Sequence, residues 1–227
     1  MSNLAVSNSG VISIDKFDMS SYFFTDTFLF RRLLIGQKAS AIFEIVFALL
    51  LLVLFSPLLL IVSLAIKLSM GGNIFYSQVR VGKGGKHFKI HKFRTMIQDA
   101  EALTGPMLAQ KNDPRITKLG RFLRASHLDE LPQLFNVLAG EMAFVGPRPE
   151  RPEFVDVFEK EVEGYKRRRE VKPGITGLAQ ICLPYDATAR EKIQYDTFYI
   201  DFNRSIVLNV IIAYYTALKM VSVSKYS

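Results

Sequence analysis

Residues Ile45–Ile66 read IVFALLLLVLFSPLLLIVSLAI, an apolar run without a charged side chain. As a straight helix the run would be about 33 Å long, which is enough to cross the hydrocarbon core of a bilayer. Pro57 lies near its middle, where proline removes an intrahelical hydrogen bond and clashes with the preceding turn, so we expect the helix to break there. The Ser56 hydroxyl is placed to satisfy a carbonyl that Pro57 leaves free. The run therefore predicts a membrane anchor interrupted at Ser56 and Pro57.

Basic residues flank this apolar run on both sides. Lysine and arginine concentrate on the cytoplasmic side of membrane segments, so the flanks predict that both ends face the cytoplasm. A re-entrant helix, bent at Ser56 and Pro57 and leaving by the leaflet it entered, satisfies both the charges and the proline. A proline-kinked helix that spans the bilayer is the alternative that the residues leave open. The basic flanking residues are Arg31, Arg32 and Lys38 before the run and Lys67, Arg80, Lys83 and Lys86 after it.

Composition and charge narrow the class of protein. The chain has 227 residues, enough for one domain with its own core, and a formal net charge of +8. Beside an apolar anchor, this charge favours anionic lipid head groups over nucleic acid as the partner. A membrane-tethered nucleic-acid-binding or scaffold protein is the competing hypothesis, because charge alone does not separate the two. The single cysteine, Cys182, excludes an internal disulfide and a cysteine-based zinc cluster.

Periodicity after the anchor predicts an α+β fold that is mostly helical. Two strand-like runs flank the glycine-rich stretch 82–85 and predict a small β-hairpin. Helices are expected over 97–110, 116–125, 154–170 and 205–221. The last is apolar on so many sides that we expect it to pack on the anchor or on the membrane. The basic run Lys166–Arg169 predicts a solvated or lipid-facing stripe, with a catalytic patch as the alternative.

These features divide the chain into four parts. Residues 1–40 form an N-terminal extension that becomes aromatic towards its end, which is typical of a segment lying at a membrane interface. Residues 41–68 are the anchor, 69–204 the main domain and 205–227 a C-terminal apolar helix. The prediction from these features is a domain with a β-hairpin and interfacial amphipathic helices, held to the membrane by a proline-broken helix that either re-enters or spans the bilayer.

Two adjacent carboxylates are the candidate site residues. Ser126–Pro149 reads SHLDELPQLFNVLAGEMAFVGPRP, in which Asp129 and Glu130 lie between Arg124 upstream and Arg148 downstream. Arginine grips phosphate oxygens through its planar fork, so this arrangement predicts a phosphate-handling site. The competing interpretation is structural: Ser126 would cap a helix whose first turn favours acidic residues.

The same stretch resembles the signature of a known family. From residue 112 the chain reads NDPRITKLGRFLRASHLDELPQLFNVLAGEMAFVGPRPE, with further matches in QVRVGKGGKHFKIHKFRTM at Gln78–Met96 and VKPGITGLAQ at Val171–Gln180. Together they resemble the bacterial sugar transferase family, the small monotopic polyprenyl-phosphate hexose-1-phosphate transferases, over roughly 38–203. The resemblance implies a re-entrant anchor and an enzyme that starts glycan assembly, such as exopolysaccharide synthesis, at the cytoplasmic face of the bacterial inner membrane.

The resemblance also implies a reaction. Asp129 would attack the sugar-linked phosphorus of a UDP-sugar, form a covalent phosphosugar-enzyme and release UMP, after which a polyprenyl phosphate would take the sugar phosphate. Glu130 would be the ligand of a catalytic Mg²⁺, which prefers oxygen ligands and often takes only one or two carboxylates. The insertion 99–115 resembles exopolysaccharide-type members, which favours galactose or glucose as the sugar. Partners implied are the UDP-sugar, polyprenyl phosphate and phospholipid, without nucleic acid and with a homodimer left open.

Other matched positions have implied roles around the phosphates. Arg124 and the unit Pro147, Arg148 and Pro149 match the phosphate clamp. Lys92 and Arg94 lie in the matched KFRTM motif, where they would hold phosphate or serve the structure. Asp196 and Tyr199 match the C-terminal pattern and would give substrate-side support.

Overall fold

The computed structural model describes residue 34 and residues 36–100, 113–184, 186–203 and 205–223. The predicted interfacial segment within residues 1–40 lies almost wholly outside the described residues. A mostly helical fold is confirmed, and the described residues form two small two-stranded sheets. The elements are α1 Gln37–Met70, β1 Phe75–Val81, β2 His87–Phe93, α2 Lys118–Ala125, α3 Gln133–Leu138, β3 Ala143–Val145, α4 Pro152–Glu161, β4 Gly174–Thr176, α5 Leu178–Cys182, α6 Ala189–Phe202 and α7 Ile206–Val223.

Helix α1 contains the predicted anchor and extends beyond it at both ends. It runs for 34 residues with Pro57 inside it, so the interruption expected at Ser56 and Pro57 is not confirmed. Pro57 has no N–H to give to the carbonyl of Val53, four residues earlier. The Ser56 hydroxyl donates to that carbonyl at 2.8 Å, as predicted, and replaces the missing bond. Within the described residues, α1 is the single helix long and apolar enough to cross a membrane.

One face of α1 packs on the rest of the protein along most of the helix. In its first half, Ala48 is completely buried in a cluster with β2 and α3. In its second half, Val62 and Ile66 are buried against Phe93 of β2 and Leu123 of α2. The opposite face is apolar and exposed, so α1 joins the core on one side and presents hydrocarbon on the other. The exposed residues of that face include Phe43, Val46, Leu50, Val53, Leu54, Leu60, Ile61, Leu64 and Leu68.

The predicted β-hairpin is confirmed. Strands β1 and β2 pair antiparallel in the register Phe75↔Phe93 to Val81↔His87, and the glycine-rich turn joins them. Asn136 of α3 fixes the next helix to this hairpin, because its side chain donates to the Lys89 carbonyl at 2.7 Å and accepts from the His91 N–H at 3.0 Å. A polar side chain with no exposed surface is stable only when it is bonded in this way.

A second core lies around the parallel pair β3 and β4. Leu208 and Ile212 of α7 are fully buried there with Val145 and Phe198. An apolar C-terminal helix is therefore confirmed. Within the described residues its buried side packs on β3, β4 and α5, and not on α1, which was one of the two expected partners. Its outer stripe is exposed at Ile206, Val210, Tyr214 and Leu218.

Two predicted helices differ from the structure. Residues 97–100 are not helical, and the rest of the helix predicted over 97–110 lies outside the described residues. The helix predicted over 154–170 ends at Glu161, and a 3-10 helix covers Tyr165–Glu170. Gly164 separates the two with φ of 77°, a left-handed conformation that ends a helix and that glycine adopts without strain.

Candidate active site

The paired carboxylates lie in a short 3-10 turn, Leu128–Glu130, between α2 and α3. His127 precedes the turn in the left-handed conformation, with φ of 56°, and reverses the chain after α2. Ser126 does not cap the following turn, because its hydroxyl donates back to the Phe122 carbonyl at 2.8 Å. The interpretation of Asp129 and Glu130 as ordinary residues of a Ser126-capped helix is therefore wrong.

Two cations hold the Glu130 carboxylate. Lys92 Nζ lies 2.6 Å and Arg148 Nη2 lies 2.7 Å from the same oxygen, Oε1. Burial of Glu130 raises the pKa of its carboxyl, but Arg148 and Lys92 together outweigh burial and hold the pKa well below its usual range. Glu130 is therefore an anion at any physiological pH.

Asp129 stands in the same site without such partners. Its side chain is buried, at 7% exposure, and no hydrogen bond or ion pair holds its carboxylate within the described part of the chain. Burial raises its pKa above the usual value, although the charge of Lys92 opposes this and that of Glu130 adds to it. Two adjacent carboxyls thus have pKa values pushed apart, which is typical of catalytic sites in which the groups have different roles.

Arg124 comes to the site from the last turn of α2. Thr117 begins that helix by accepting the N–H of Gly120 at 2.9 Å. Arg124 Nε donates to the Thr95 hydroxyl at 2.9 Å, and its charge acts to lower the pKa of Asp129. The structure therefore brings Arg124, Lys92 and Arg148 together around the paired carboxylates, as the resemblance implies.

The Pro-Arg-Pro loop is fixed through its backbone. Each of its four successive carbonyls, from Pro147 to Glu150, accepts a hydrogen bond from a different part of the chain. The donors are the Gly174 N–H at 3.0 Å to Pro147, Arg168 Nη2 at 2.6 Å to Arg148, Arg80 Nη1 at 3.0 Å to Pro149 and the Val81 N–H at 3.0 Å to Glu150. With the prolines restricting φ at Pro147 and Pro149, the loop holds Arg148 towards Glu130.

Arg168 connects this loop to Asp196. Its Nε lies 2.9 Å from Asp196 Oδ2, and both side chains are buried. Another guanidinium nitrogen donates to the Tyr165 hydroxyl. Asp196 therefore supports the Arg148 backbone indirectly, through Arg168. The prediction that Lys166–Arg169 is a solvated or lipid-facing stripe is wrong for Arg168, because an ion pair with a distant residue compensates its buried charge.

Two other matched residues, Tyr199 and Arg94, form hydrogen bonds away from the paired carboxylates. The Tyr199 hydroxyl donates to the Val145 carbonyl at 2.7 Å inside the second core. Arg94 Nη2 donates to the carbonyls of Met70 and Gly71, at the end of α1. These contacts favour the structural role that was predicted for Arg94 beside phosphate binding.

The donor set limits what metal the site can hold. In the described residues, no group of three or more His, Cys, Asp or Glu side chains comes together. A magnesium site often takes only one or two carboxylates from the protein, and phosphate oxygens and water supply the remaining ligands. The ionised carboxylate of Glu130, the predicted metal ligand, fits that share.

Sequence reasoning missed three residues that shape the site. Thr95 positions Arg124, Arg80 holds the Pro149 carbonyl, and Arg168 holds the Arg148 carbonyl. Thr95 and Arg80 lie inside the motifs quoted above, so the signal for them was present. Nothing in the local pattern around Arg168 distinguishes it from its basic neighbours.

Comparison with known proteins supplies an independent finding. The family model described as bacterial sugar transferase matches residues 35–223. The chain is 45% identical over 176 residues to the UDP-N-acetylgalactosamine-undecaprenyl-phosphate N-acetylgalactosaminephosphotransferase of Aeromonas hydrophila, an alignment that covers 76% of this chain and 41% of that protein. It is 42% identical over 181 residues to the UDP-glucose:undecaprenyl-phosphate glucose-1-phosphate transferase of Klebsiella pneumoniae, with 78% of this chain and 38% of that protein covered.

A relative of similar length matches as well. The exopolysaccharide production protein ExoY of Sinorhizobium fredii is 36% identical over 196 residues, which is 80% of this chain and 85% of that protein. The chain thus spans about two fifths of the Aeromonas and Klebsiella relatives.

Proposed function

The chain belongs to the bacterial sugar transferase family, and we propose that it transfers a hexose 1-phosphate from a UDP-sugar to undecaprenyl phosphate, releasing UMP, as the first step of exopolysaccharide or other surface glycan assembly. The observation that carries the proposal is the Asp129 carboxylate, which is buried without an ion pair to any described residue and lies beside Glu130 among three cations. The names of the relatives support the same acceptor lipid and nucleotide sugars.

The cations would bind the diphosphate of the donor. Two anions must meet in this reaction, so the site has to neutralise charge as well as position atoms. Arg148 and Lys92 already hold a carboxylate oxygen at 2.7 and 2.6 Å, which is the geometry they would offer to a phosphate oxygen. If phosphate oxygens replaced Glu130 Oε1 as the partner of Arg148 and Lys92, that carboxylate oxygen would become free.

Magnesium held by Glu130 would neutralise charge on the phosphate oxygens of the bound donor. Glu130 suits this role because its depressed pKa keeps it ionised.

Asp129 would act as the nucleophile. One of its oxygens attacks the sugar-linked phosphorus, the bond from that phosphorus to the bridging oxygen breaks, and UMP leaves with the bond electrons. An oxygen of the lipid phosphate then attacks the phosphorus of the acyl phosphate. The carboxylate of Asp129 leaves in this second step, so the enzyme is regenerated and the product is polyprenyl-diphospho-sugar.

Helix α1 would place this chemistry at the cytoplasmic face of the inner membrane. Contacts from Ala48 to Ile66 join one face of the helix to the catalytic domain, which supports an arrangement with both ends on the same side. If α1 crossed the bilayer along its normal, its two halves would lie at different depths. A domain outside the membrane could then contact only one of the two halves. We therefore retain the same-side, re-entrant topology as part of the proposal, with the apolar outer face in lipid.

We expect the purified protein to release UMP from a UDP-hexose over repeated catalytic cycles only when both magnesium and undecaprenyl phosphate are present. Sugar phosphate should appear on the lipid in equal amount. The measurement is UMP release across UDP-glucose, UDP-galactose and UDP-N-acetylgalactosamine, with radiolabelled sugar to follow the lipid product. Absence of turnover with every donor in the panel would overturn the assignment.

We expect both ends of α1 to be accessible from the same side of sealed vesicles. Single cysteines placed at Gln37 and at Asn73, in a Cys182→Ser background, should react with a membrane-impermeant maleimide from one side only. The physical reason is the continuous contact of α1 with one domain. Labelling of the two positions from opposite sides would establish a spanning helix.

We expect activity to fall as pH decreases through the pKa of Asp129, because only the carboxylate can attack phosphorus. The pKa is raised, so the acidic loss should come at higher pH than for an ordinary aspartate. Lys92→Gln removes a charge that lowers this pKa and should move the acidic limb of kcat/KM to still higher pH. The exposed Lys89→Gln on the same strand is the control. If the acidic limb of kcat/KM lay at the same pH in the unaltered protein and in both variants, the assignment would be contradicted.

A further inference from the structure

A cavity of about 390 Å³ lies where α1 ends, outside the site of the paired carboxylates. Its lining comes from the end of α1, the segment after β2 and the start of α2, and includes Ser69, Arg94, Gln98 and Lys118. None of the described residues that line it is acidic. Its volume is in the range of sites that bind small molecules or head groups.

Arg94 brings an uncompensated charge to this cavity. The side chain is buried, with 7% exposure, and one nitrogen donates to the carbonyls that end α1. Its Nε and Nη1 are shielded from solvent and have no hydrogen-bond partner. Among the described residues no carboxylate pairs with it. A buried guanidinium without a counter-ion is costly, so the site favours an anion.

Gln98 lies beside Arg94 at the wall of the cavity. A Cβ at Gly72, whose φ is +58°, would lie 2.9 Å from Arg94 Nη1 and 2.5 Å from Gln98 Oε1, so these two side chains crowd the same space. Gln98 is exposed. An anion that displaces the Gln98 side chain would reach the Arg94 guanidinium.

The surroundings of the cavity indicate where the anion comes from. Ile97, which lines the cavity, is 53% exposed. Two apolar side chains on the elements that supply the lining are also strongly exposed, Leu68 at 78% and Phe122 at 61%. Phe122 lies one turn after Lys118 on the same face of α2, so a cation and an aromatic ring emerge together. Lys67 adds a second cation, since its Nζ donates to the Gly72 carbonyl at 3.2 Å. Basic groups beside exposed apolar groups are typical of a surface at the level of lipid head groups.

We propose that this cavity binds the phosphate of an anionic phospholipid headgroup, with Arg94 and Lys118 as its cationic ligands and the acyl chains along Leu68 and Phe122. The bound lipid would fix the depth of the end of α1 in the membrane. The site does not depend on the proposed sugar transfer, because neither Asp129 nor Glu130 takes part in it.

The test is native mass spectrometry of the full-length protein in detergent micelles, titrated with phosphatidylglycerol or with phosphatidylcholine of the same acyl chains. We expect tighter retention of phosphatidylglycerol. Arg94→Gln should weaken it about tenfold or more, because a hydrogen bond to a charged group is lost, and the exposed Lys118→Gln about two- to fivefold. Lys83→Gln, an exposed lysine of the hairpin turn, is the matched control and should retain the lipid like the unaltered protein.

Four outcomes would overturn the proposal. These are equal retention of the two lipids, loss of phosphatidylglycerol in the control as well, equal affinity for free glycerol phosphate, and one-for-one displacement by undecaprenyl phosphate. The third would identify a soluble phosphate ligand and the fourth a site for the acceptor. Arg94 also holds the end of α1, so thermal unfolding of each variant accompanies the titration. If Arg94→Gln does not fold, Lys118→Gln decides the question, because Lys118 is exposed.

Discussion

Asp129→Asn should abolish turnover and remove the covalent intermediate. The amide cannot form an acyl phosphate, and loss of a nucleophile in covalent catalysis lowers kcat by about 10⁴-fold or more. The fold should be unaffected, because asparagine has nearly the same shape and no ion pair holds the Asp129 carboxylate in the described residues. The measurements are UMP release and mass spectrometry of the rapidly quenched protein after incubation with donor alone. In the unaltered protein the hexose phosphate should lie on the peptide that contains Leu128–Leu131.

Asp156→Asn is the matched control for this change. Asp156 is exposed on α4, and the same substitution there should leave both turnover and adduct unchanged. Because acyl phosphates hydrolyse readily, the quench must be faster than turnover. Full activity of Asp129→Asn would refute the covalent mechanism and indicate direct attack by the lipid phosphate on the bound donor.

Glu130→Gln should lower kcat/KM by about 10²- to 10³-fold, the usual cost of removing one electrostatic group from a reaction site. The reason differs from that for Asp129. The change removes the anion that Lys92 and Arg148 hold, and it weakens the carboxylate ligand proposed for magnesium. We therefore expect the magnesium concentration for half-maximal rate to increase, and added metal to restore part of the activity. No concentration of metal should restore Asp129→Asn.

The exposed Glu163→Gln serves as the control for Glu130→Gln, with unchanged rate and magnesium dependence. Thermal unfolding of Glu130→Gln is needed beside the kinetics, since the substitution leaves two cations without their carboxylate. A variant that folds, works at the normal rate and keeps its magnesium dependence would exclude Glu130 from both proposed roles.

The sequence predicted elements whose cause is local. The β-hairpin follows from two alternating runs around glycines, and the anchor from an uncharged run of sufficient length. The shape of α1 was not predictable in the same way. Pro57 predicted an interruption, yet the Ser56 hydroxyl satisfies the Val53 carbonyl, so helical backbone continues past the proline.

The site was predictable where its residues are close in sequence or lie in a family motif. Asp129, Glu130, Arg124, Arg148 and Lys92 come together as the resemblance implies. Arg168 was not predictable from its neighbours, because its partner Asp196 lies far along the chain. A run of basic residues is solvated unless the tertiary fold places an acidic side chain beside it. The periodicity of the sequence does not predict such a partner.

Helix α1 contributes side chains to the same buried clusters as β2, α2 and α3. Ala48 and Ile66 have no exposed surface, and they contact Val137 and Leu123 through those clusters. Anchor and catalytic domain therefore form one cooperative folding unit. A fragment that begins after α1 would open two of its hydrophobic clusters to water, so cutting away the membrane segment would not yield a well-packed soluble enzyme. In the proposed membrane arrangement, folding of the site around Asp129 is therefore coupled to insertion of α1 into lipid.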